Sequence, residues 1–197
     1  MDILKSHGQS DYIGEPVSQI EHSLQCAHLA ANSGADAMII AAALLHDIGQ
    51  IIPACEAGKH MGGEKVQSMQ QNSSSPKDSR SSDSVGRVSH ETLGARYLLA
   101  LGFPPKVAEL VEAHVPAKRY LCATEQGYYD ALSDASKESL TFQGGPMGPE
   151  EVRKWREDKW ATEKANLRRW DDGAKVVELD VPGLESYRSA LEQVLSS

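Results

Sequence analysis

The 197-residue chain is poor in aromatics, in cysteine and in positive charge. Its three cysteines, Cys26, Cys55 and Cys122, are odd in number and never fall into a CxxC pair. That excludes a disulfide framework and a thiolate zinc site, and reads as reduced thiols of a cytoplasmic protein. No apolar run is long enough to span a bilayer, and Met1-Asp2-Ile3-Leu4-Lys5-Ser6 is too polar for a secretory signal. Twenty Lys and Arg stand against 28 Asp and Glu, a formal net charge of -8. The balance argues against nucleic acid or an anionic membrane as partner. Strand-like alternation is scarce as well. With 40% hydrophobic residues, the expectation is one all-α domain over residues 1–197, large enough to bury a core.

Against these absences stands Ala41-Ala42-Ala43-Leu44-Leu45-His46-Asp47-Ile48-Gly49-Gln50. The apolar run predicts a buried helix, with Asp36 as its cap and Gly49 as a left-handed stop. A buried helix that ends in an imidazole beside a carboxylate needs partners for both, and a metal ion is the strongest partner available. Before it, Ser18 and Glu21 have capping-box spacing for a helix running to about Asn32. Ile20, Leu24, Ala27 and Ala31 would face the core of that helix, and His22 would project from the stripe's edge.

From about residue 56 to 88 the apolar period is lost and serine accumulates, which predicts a long irregular insertion. His60 lies within it and is not expected to be a core ligand. Ser89 predicts the cap of a helix ending at Gly102, and Pro104-Pro105 opens another over 106–115 that Pro116 should stop. Short helical pieces follow at 117–122 and 128–136, then a turn at 142–146. A charged helix from Pro149 leads to Trp170-Asp171, with Trp170 expected to hold Asp171 in place, and a last helix covers about 184–195.

Four histidines, His22, His46, His90 and His114, thus stand near helix ends or on buried faces. With Asp47 and Asp171 they make six potential ligands on five helices. Imidazole and carboxylate without thiolate suit iron, manganese or zinc, and a bridging carboxylate suits two ions about 3.5–4 Å apart.

The order His22, His46-Asp47, His90, His114, Asp171 resembles the HD-domain superfamily of metal-dependent helical proteins, most of which hydrolyse phosphate esters. The strings Tyr12-Ile13-Gly14-Glu15, Gln19 to Ala27, His46 to Gly49, His114 with Ala117 to Leu121, Ala135-Ser136-Lys137, Phe142 to Gly145 and Trp170-Asp171 resemble a narrower branch. That branch comprises the phosphonate-cleaving dioxygenases, typified by the glycine-forming 2-amino-1-hydroxyethylphosphonate dioxygenases. The likeness covers most of the chain apart from the serine-rich insertion and the C-terminal tail.

The resemblance implies a mixed-valent Fe(II)/Fe(III) pair. His22, His46, Asp47 and Asp171 would hold one iron, and Asp47 would bridge to a second held by His90 and His114. It implies that Tyr12, with Glu15 beside it, occupies the open metal position until substrate arrives, and that Lys118 and Ser136 contact the phosphonate. Gln50 departs from the basic residue that relatives tend to carry there, so it can donate a hydrogen bond but no charge. The implied reaction is O2-dependent cleavage of a carbon–phosphorus bond in a small organophosphonate, releasing phosphate and a carboxylic acid. Glu15, Glu21, Asp134 and Tyr120 are candidates for the amine end of that substrate. The insertion before His90 favours 1-hydroxy-2-(trimethylammonio)ethylphosphonate, giving glycine betaine, over the primary amine, giving glycine. An HD phosphohydrolase is the further alternative and would have no use for Tyr12.

Overall fold

Asp36 begins the helix on which the others pack. Its carboxylate accepts the Ile39 N–H at 2.9 Å, satisfying one of the donors that a helix start leaves open. In the computed structural model, which describes residues 1–12, 14–60, 68–70 and 84–197, this helix is α3, counting α1 as Asp2–His7, α2 as Gln19–Asn32 and α3 as Ala37–Leu45. Apolar all round, α3 has no face suited to water, and Ala41 to Leu45 are buried on every side. The expected capping box of α2 is present: the Ser18 hydroxyl faces the Glu21 N–H at 3.3 Å, and Glu21 accepts from the Ser18 N–H at 2.7 Å. Ala27 is buried and Ile20 and Leu24 pack on the core, but Ala31 is exposed, because the buried stripe runs through His22, Cys26 and Ala30 instead.

The chain does not stop at Gly49. It breaks at Asp47 (φ -98, ψ 13) and resumes as α4, Ile48–Ile51. Gly49 lies inside that turn and is not among the glycines of positive φ. Its missing side chain answers a different need: a Cβ there would stand 1.9 Å from the His90 carbonyl oxygen and 2.9 Å from the Gly94 N. The glycine lets the helix carrying His90 cross directly over the turn that carries Asp47.

That helix is α6, His90–Ala100, and Gly102 (φ +89) follows its end. Ser89 precedes it as expected, but in the left-handed region (φ 56) and without a side-chain cap. Pro116 does not stop the next helix. α7 runs Pro105–Thr124 with the proline inside it. Proline removes one backbone donor, yet Ala117, Lys118 and Leu121 remain buried beyond it, and this burial sustains the helix.

Helix α5, Ala54–His60, occupies the start of the segment expected to be irregular, and the His60 ring packs edge-on against Tyr97 at 5.4 Å. β1, Ser68–Gln70, pairs antiparallel with β2, Ser84–Arg87; the remainder of the insertion, 61–67 and 71–83, lies outside the described residues, as does Ile13. The later helices are α8 (Tyr128–Ala131), α9 (Asp134–Phe142), α10 (Pro149–Arg156), α11 (Ala161–Gly173) and α12 (Arg188–Leu195), the last preceded by a 3-10 turn at Leu184–Tyr187. α3 is wrapped by α2, α7, α11 and α12. The all-α expectation holds apart from the short strand pair. Cys26, Cys55 and Cys122 are free thiols. Among the described residues no single helix is long and apolar enough to cross a membrane.

Replacing Gly49 by alanine must push the α4 and α6 backbones apart. We expect Gly49→Ala to lower unfolding free energy by about 3 kcal/mol or more, measured from urea midpoints. Gly58→Ala, at a helical position with no atom within 4 Å of the new Cβ, is expected to be neutral or stabilising by up to about 1 kcal/mol.

Candidate metal centre

Five helices deliver six side chains to one buried point. His22 comes from α2, His46 and Asp47 from the break after α3, His90 from the start of α6, His114 from α7 and Asp171 from α11. All are buried, with exposures between 0 and 7%.

Each histidine is oriented by a carbonyl behind it. The Nδ1 of His22 donates to Ala174 O at 2.8 Å, that of His46 to Ala43 O at 2.8 Å, that of His90 to Arg87 O at 3.0 Å and that of His114 to Val111 O at 2.7 Å. A carbonyl can only accept, so Nδ1 carries a proton in all four, and a ring in its neutral form turns a bare Nε2 lone pair inward. Those lone pairs meet in two couples, His22 with His46 and His90 with His114, each 3.0 Å apart. Two unprotonated nitrogens at that distance repel. A proton on one member of each couple, or a cation seated between them, removes the repulsion. The spacing would suit two nitrogens sharing one cation.

Asp47 divides the two couples. Its Oδ2 lies 3.4 Å from His46 Nε2 and 3.8 Å from His22 Nε2, whereas its Oδ1 lies 3.2 Å from His90 Nε2 and 3.5 Å from His114 Nε2. Asp171 Oδ1 completes the first group, 3.4 Å from His22 and 3.8 Å from His46. Neither Asp47 Oδ1 nor Asp171 Oδ1 receives a hydrogen bond, though both are fully buried. Orphaned carboxylate oxygens facing bare imidazole nitrogens form the donor set of a two-cation site, and His22, His46 and Asp47, and Asp47, His90 and His114, are each close enough to share an ion.

The electrostatics agree. Burial opposes charge on Asp47 and Asp171, but His46 for the first and Arg168 with His46 for the second outweigh it and hold both carboxyls well below the usual range. Burial likewise disfavours charged His46 and His90, and Asp47 reverses the balance so that both are raised. The pocket is built for positive charge.

Above the centre is a cavity of about 60 Å³. Asp47, His90, His114 and Asp171 line it together with Tyr12, Glu15, Lys118, Ser136, Arg168 and Lys175. The Tyr12 ring stacks on His22 at 3.9 Å between centroids, nearly parallel. Burial, then Asp171 and Asp47, push its phenol well above the usual tyrosine range. Its loop is pinned by Gly14 (φ +73), where a Cβ would strike Ala135 at 2.8 Å. Lys118 is 2% exposed, one turn beyond His114, and donates to Ser139 Oγ at 2.7 Å and Ser136 O at 3.2 Å. Both acceptors are neutral, and burial, aided by Arg168, draws its pKa down to about 7. Gln50 also lines the cavity, its Oε1 accepting the Arg87 N–H at 2.8 Å.

Glu21, Asp134 and Tyr120 do not line the cavity. Glu21 is occupied as a helix cap, Asp134 is exposed at the start of α9, and Tyr120 stacks on Trp155 at 5.1 Å. Glu15 does line it, but its Oε1 already accepts from Lys175 Nζ at 2.8 Å and from Ser133 Oγ at 2.5 Å. Two cations escaped sequence reasoning. Arg168 donates to Asp171 Oδ2 at 2.7 Å and also pairs with Asp172. It holds Asp171, the task expected of Trp170, and its i-3 spacing on the same helical face was the available signal. Lys175 bonds Glu15 and, at 3.0 Å, Ser136 Oγ; it lies beyond the end of α11, where no periodicity marks it.

Residues 20–133 match the HD domain family. The chain is 39% identical over 195 residues to the hydroxymethylphosphonate dioxygenase of Gimesia maris, covering 98% of this chain and 85% of that protein. It is 35% identical over 193 residues to the [1-hydroxy-2-(trimethylamino)ethyl]phosphonate dioxygenase (glycine-betaine-forming) of Leisingera caerulea, covering 98% and 87%.

Metal-free protein titrated with a divalent first-row ion should take up two equivalents by equilibrium dialysis. His22→Ala and His90→Ala should each lose one, and Asp47→Ala both. At free ion a hundredfold above the dissociation constant, each filled site should add about 2.7 kcal/mol to unfolding free energy.

Proposed function

The chain belongs to the HD domain family, and from that premise we propose that it is an O2-dependent enzyme cleaving the carbon–phosphorus bond of a small 1-hydroxyalkylphosphonate. The observation that carries the reading is Asp47 placed between two histidine couples, with one oxygen toward each. This donor set fits a pair of iron ions, and both named relatives are phosphonate dioxygenases. In our reading His22, His46 and Asp171 would hold one ion and His90 and His114 the other, with an oxygen of Asp47 available to each. When bound, the mixed-valent iron pair supplies dioxygen activation and the redox change at C1.

The protein's own residues bind and orient. Tyr12, stacked on His22, covers the open face above the first group and keeps water from it until substrate displaces the phenol. Lys118, one turn from His114, supplies the positive charge whose present partners are only neutral oxygens. Ser136 and Arg168 flank it, which gives a phosphonate both charge and directed donors. Oxidation by one O2 accounts for all four electrons lost by the substrate, so the products are phosphate and a carboxylate, with no external reductant.

The chemistry at the far end of the substrate decides its identity. A trimethylammonium tail, favoured from the sequence, needs acids or aromatic faces around it. Of the four residues expected to supply them only Glu15 lines the cavity, and Lys175 already neutralises it. The pairing of Glu15 with Lys175, and the cation Lys118 beside Ser136, favour a substrate without a cationic tail. Hydroxymethylphosphonate is therefore the first candidate, yielding formate and phosphate.

Iron-loaded protein in air is expected to release phosphate fastest from hydroxymethylphosphonate, and more slowly from 1-hydroxy-2-aminoethylphosphonate and its N-trimethyl analogue. Faster release from the trimethylated compound would return the substrate to the first expectation. Release from phosphate esters without oxygen would replace the whole reading by hydrolysis.

Sulfate, a dianion at all relevant pH, isolates the role of Lys118. With its pKa near 7, Lys118 is charged below that pH and neutral above it. Sulfate affinity measured by calorimetry on metal-free protein should fall as pH rises beyond about 7. Lys118→Met should remove that part of the profile and weaken binding at pH 6 roughly tenfold or more.

A further inference from the structure

Three residues before His90, at the end of β2, Arg87 makes contacts in four directions. Its carbonyl accepts the His90 Nδ1–H at 3.0 Å. Its N–H donates to Gln50 Oε1 at 2.8 Å. Its guanidinium Nη1 bridges two further carbonyls, Gly49 O at 2.7 Å and Ile52 O at 3.0 Å. Those last two belong to and follow α4, the single helical turn after Asp47. A helix this short leaves its terminal carbonyls without partners of its own, and Arg87 supplies them. Between Arg87 and His90 the chain passes through Ser89 in the left-handed region. That conformation is costly for a serine, so something must hold it.

We infer that Arg87 is a positioning residue for the second half-site, locking the turn after Asp47 to the segment that delivers His90. Three consequences follow from the contacts. The backbone held by this anchor fixes which His90 nitrogen carries the proton, and so leaves Nε2 bare toward Asp47. The guanidinium ties α4 to β2, and Gly49 packs α4 against the His90 backbone, so the 3.2 Å gap between Asp47 Oδ1 and His90 Nε2 is set from both sides. The amide of Gln50 has its oxygen occupied by the Arg87 N–H, which turns its NH2 outward as a donor from the cavity wall. Where a basic residue would bring charge to this wall, Gln50 brings an oriented neutral donor, and Arg87 sets the orientation. The first half-site is supported by other contacts: His22 donates to Ala174 O, Gln25 pairs with both backbone groups of Val176, and Arg168 holds Asp171.

The inference rests on the two-ion reading, and the test separates them. Metal-free protein is titrated with Zn²⁺ in competition with a chromophoric chelator. Wild type should bind two ions with resolvable affinities. Arg87→Met, which keeps the stem and removes the donors, should weaken the ion that His90→Ala abolishes, here the second ion, about 10–100-fold and leave the other within twofold of wild type. Its metal-free melting temperature should stay within about 4 °C of wild type, since Arg87 lies outside the hydrophobic core. Arg87→Lys, which retains a cationic donor, should recover most of the loss. Unchanged second-ion affinity, or equal weakening of both ions, overturns the inference and leaves the two-ion reading standing. A wild type that binds one ion overturns both. Should Arg87→Met fail to fold, Gln50→Met removes the acceptor of the Arg87 N–H. A roughly threefold weaker second ion then supports the clamp, and no change in either ion overturns it.

Discussion

The carboxylate of Asp47 stands where the fold can least tolerate an unpaired charge. It is buried at the break between α3 and α4, with one oxygen free of hydrogen bonds and bare imidazole nitrogens on both sides. Burying an ion costs several kcal/mol unless compensated, and five helices converge on the point where compensation is needed. The second half of α3, Ala41 to Leu45, is buried and carries Asp47 to the centre. Gly49 is needed because α6 must approach within backbone contact of the turn after Asp47. α7 continues through Pro116 with His114 before the proline and Lys118 after it. The same helix therefore furnishes a neighbour of Asp47 and a cation for the cavity above.

Backbone carbonyls do the orienting. For His46, His90 and His114 the carbonyl is that of the residue three positions earlier, Ala43, Arg87 and Val111, so the local chain path sets each tautomer. His22 is the exception. Its partner, Ala174, comes from the turn just past Asp171, and one short segment thereby places a carboxylate in front of His22 and a carbonyl behind it. The first half-site is thus closed by the C-terminal part of the chain, the second by the segment before α6. The two halves share Asp47 but are stabilised by different pieces of sequence.

This division explains what the sequence made legible. Periodicity and capping chemistry are local, and they located α2 with its Ser18–Glu21 box, α3 with its Asp36 cap, and the six residues that converge. Three readings failed for one reason, that a local rule met a tertiary contact. Gly49 looked like a helix stop, but it is small because of the His90 backbone over it. Pro116 looked like a terminus, but burial of Ala117, Lys118 and Leu121 carries the helix on. Trp170 looked like the support of Asp171, but Arg168 makes the bond. Lys175 and Arg87 follow no period. Each works through contacts with chain far away in sequence or with backbone atoms, which no spacing rule encodes.

The cavity's charge balance then constrains what can enter. Arg168 is matched by Asp171 and Asp172, and Lys175 by Glu15. Of these cations Lys118 alone hydrogen-bonds only neutral oxygens, and burial together with Arg168 lowers its pKa. An incoming phosphonate provides an anion, and the more it does so the more it favours the charged lysine. A cationic tail on the same substrate would have to take Glu15 from Lys175, leaving a second buried ammonium beside Lys118 and Arg168. The phosphonate could absorb that charge only by lying between both lysines, which Ser136, bonded to Lys175 and flanked by Arg168, is placed to direct. In the proposed reading a cationic tail would therefore compete with Lys175 for Glu15.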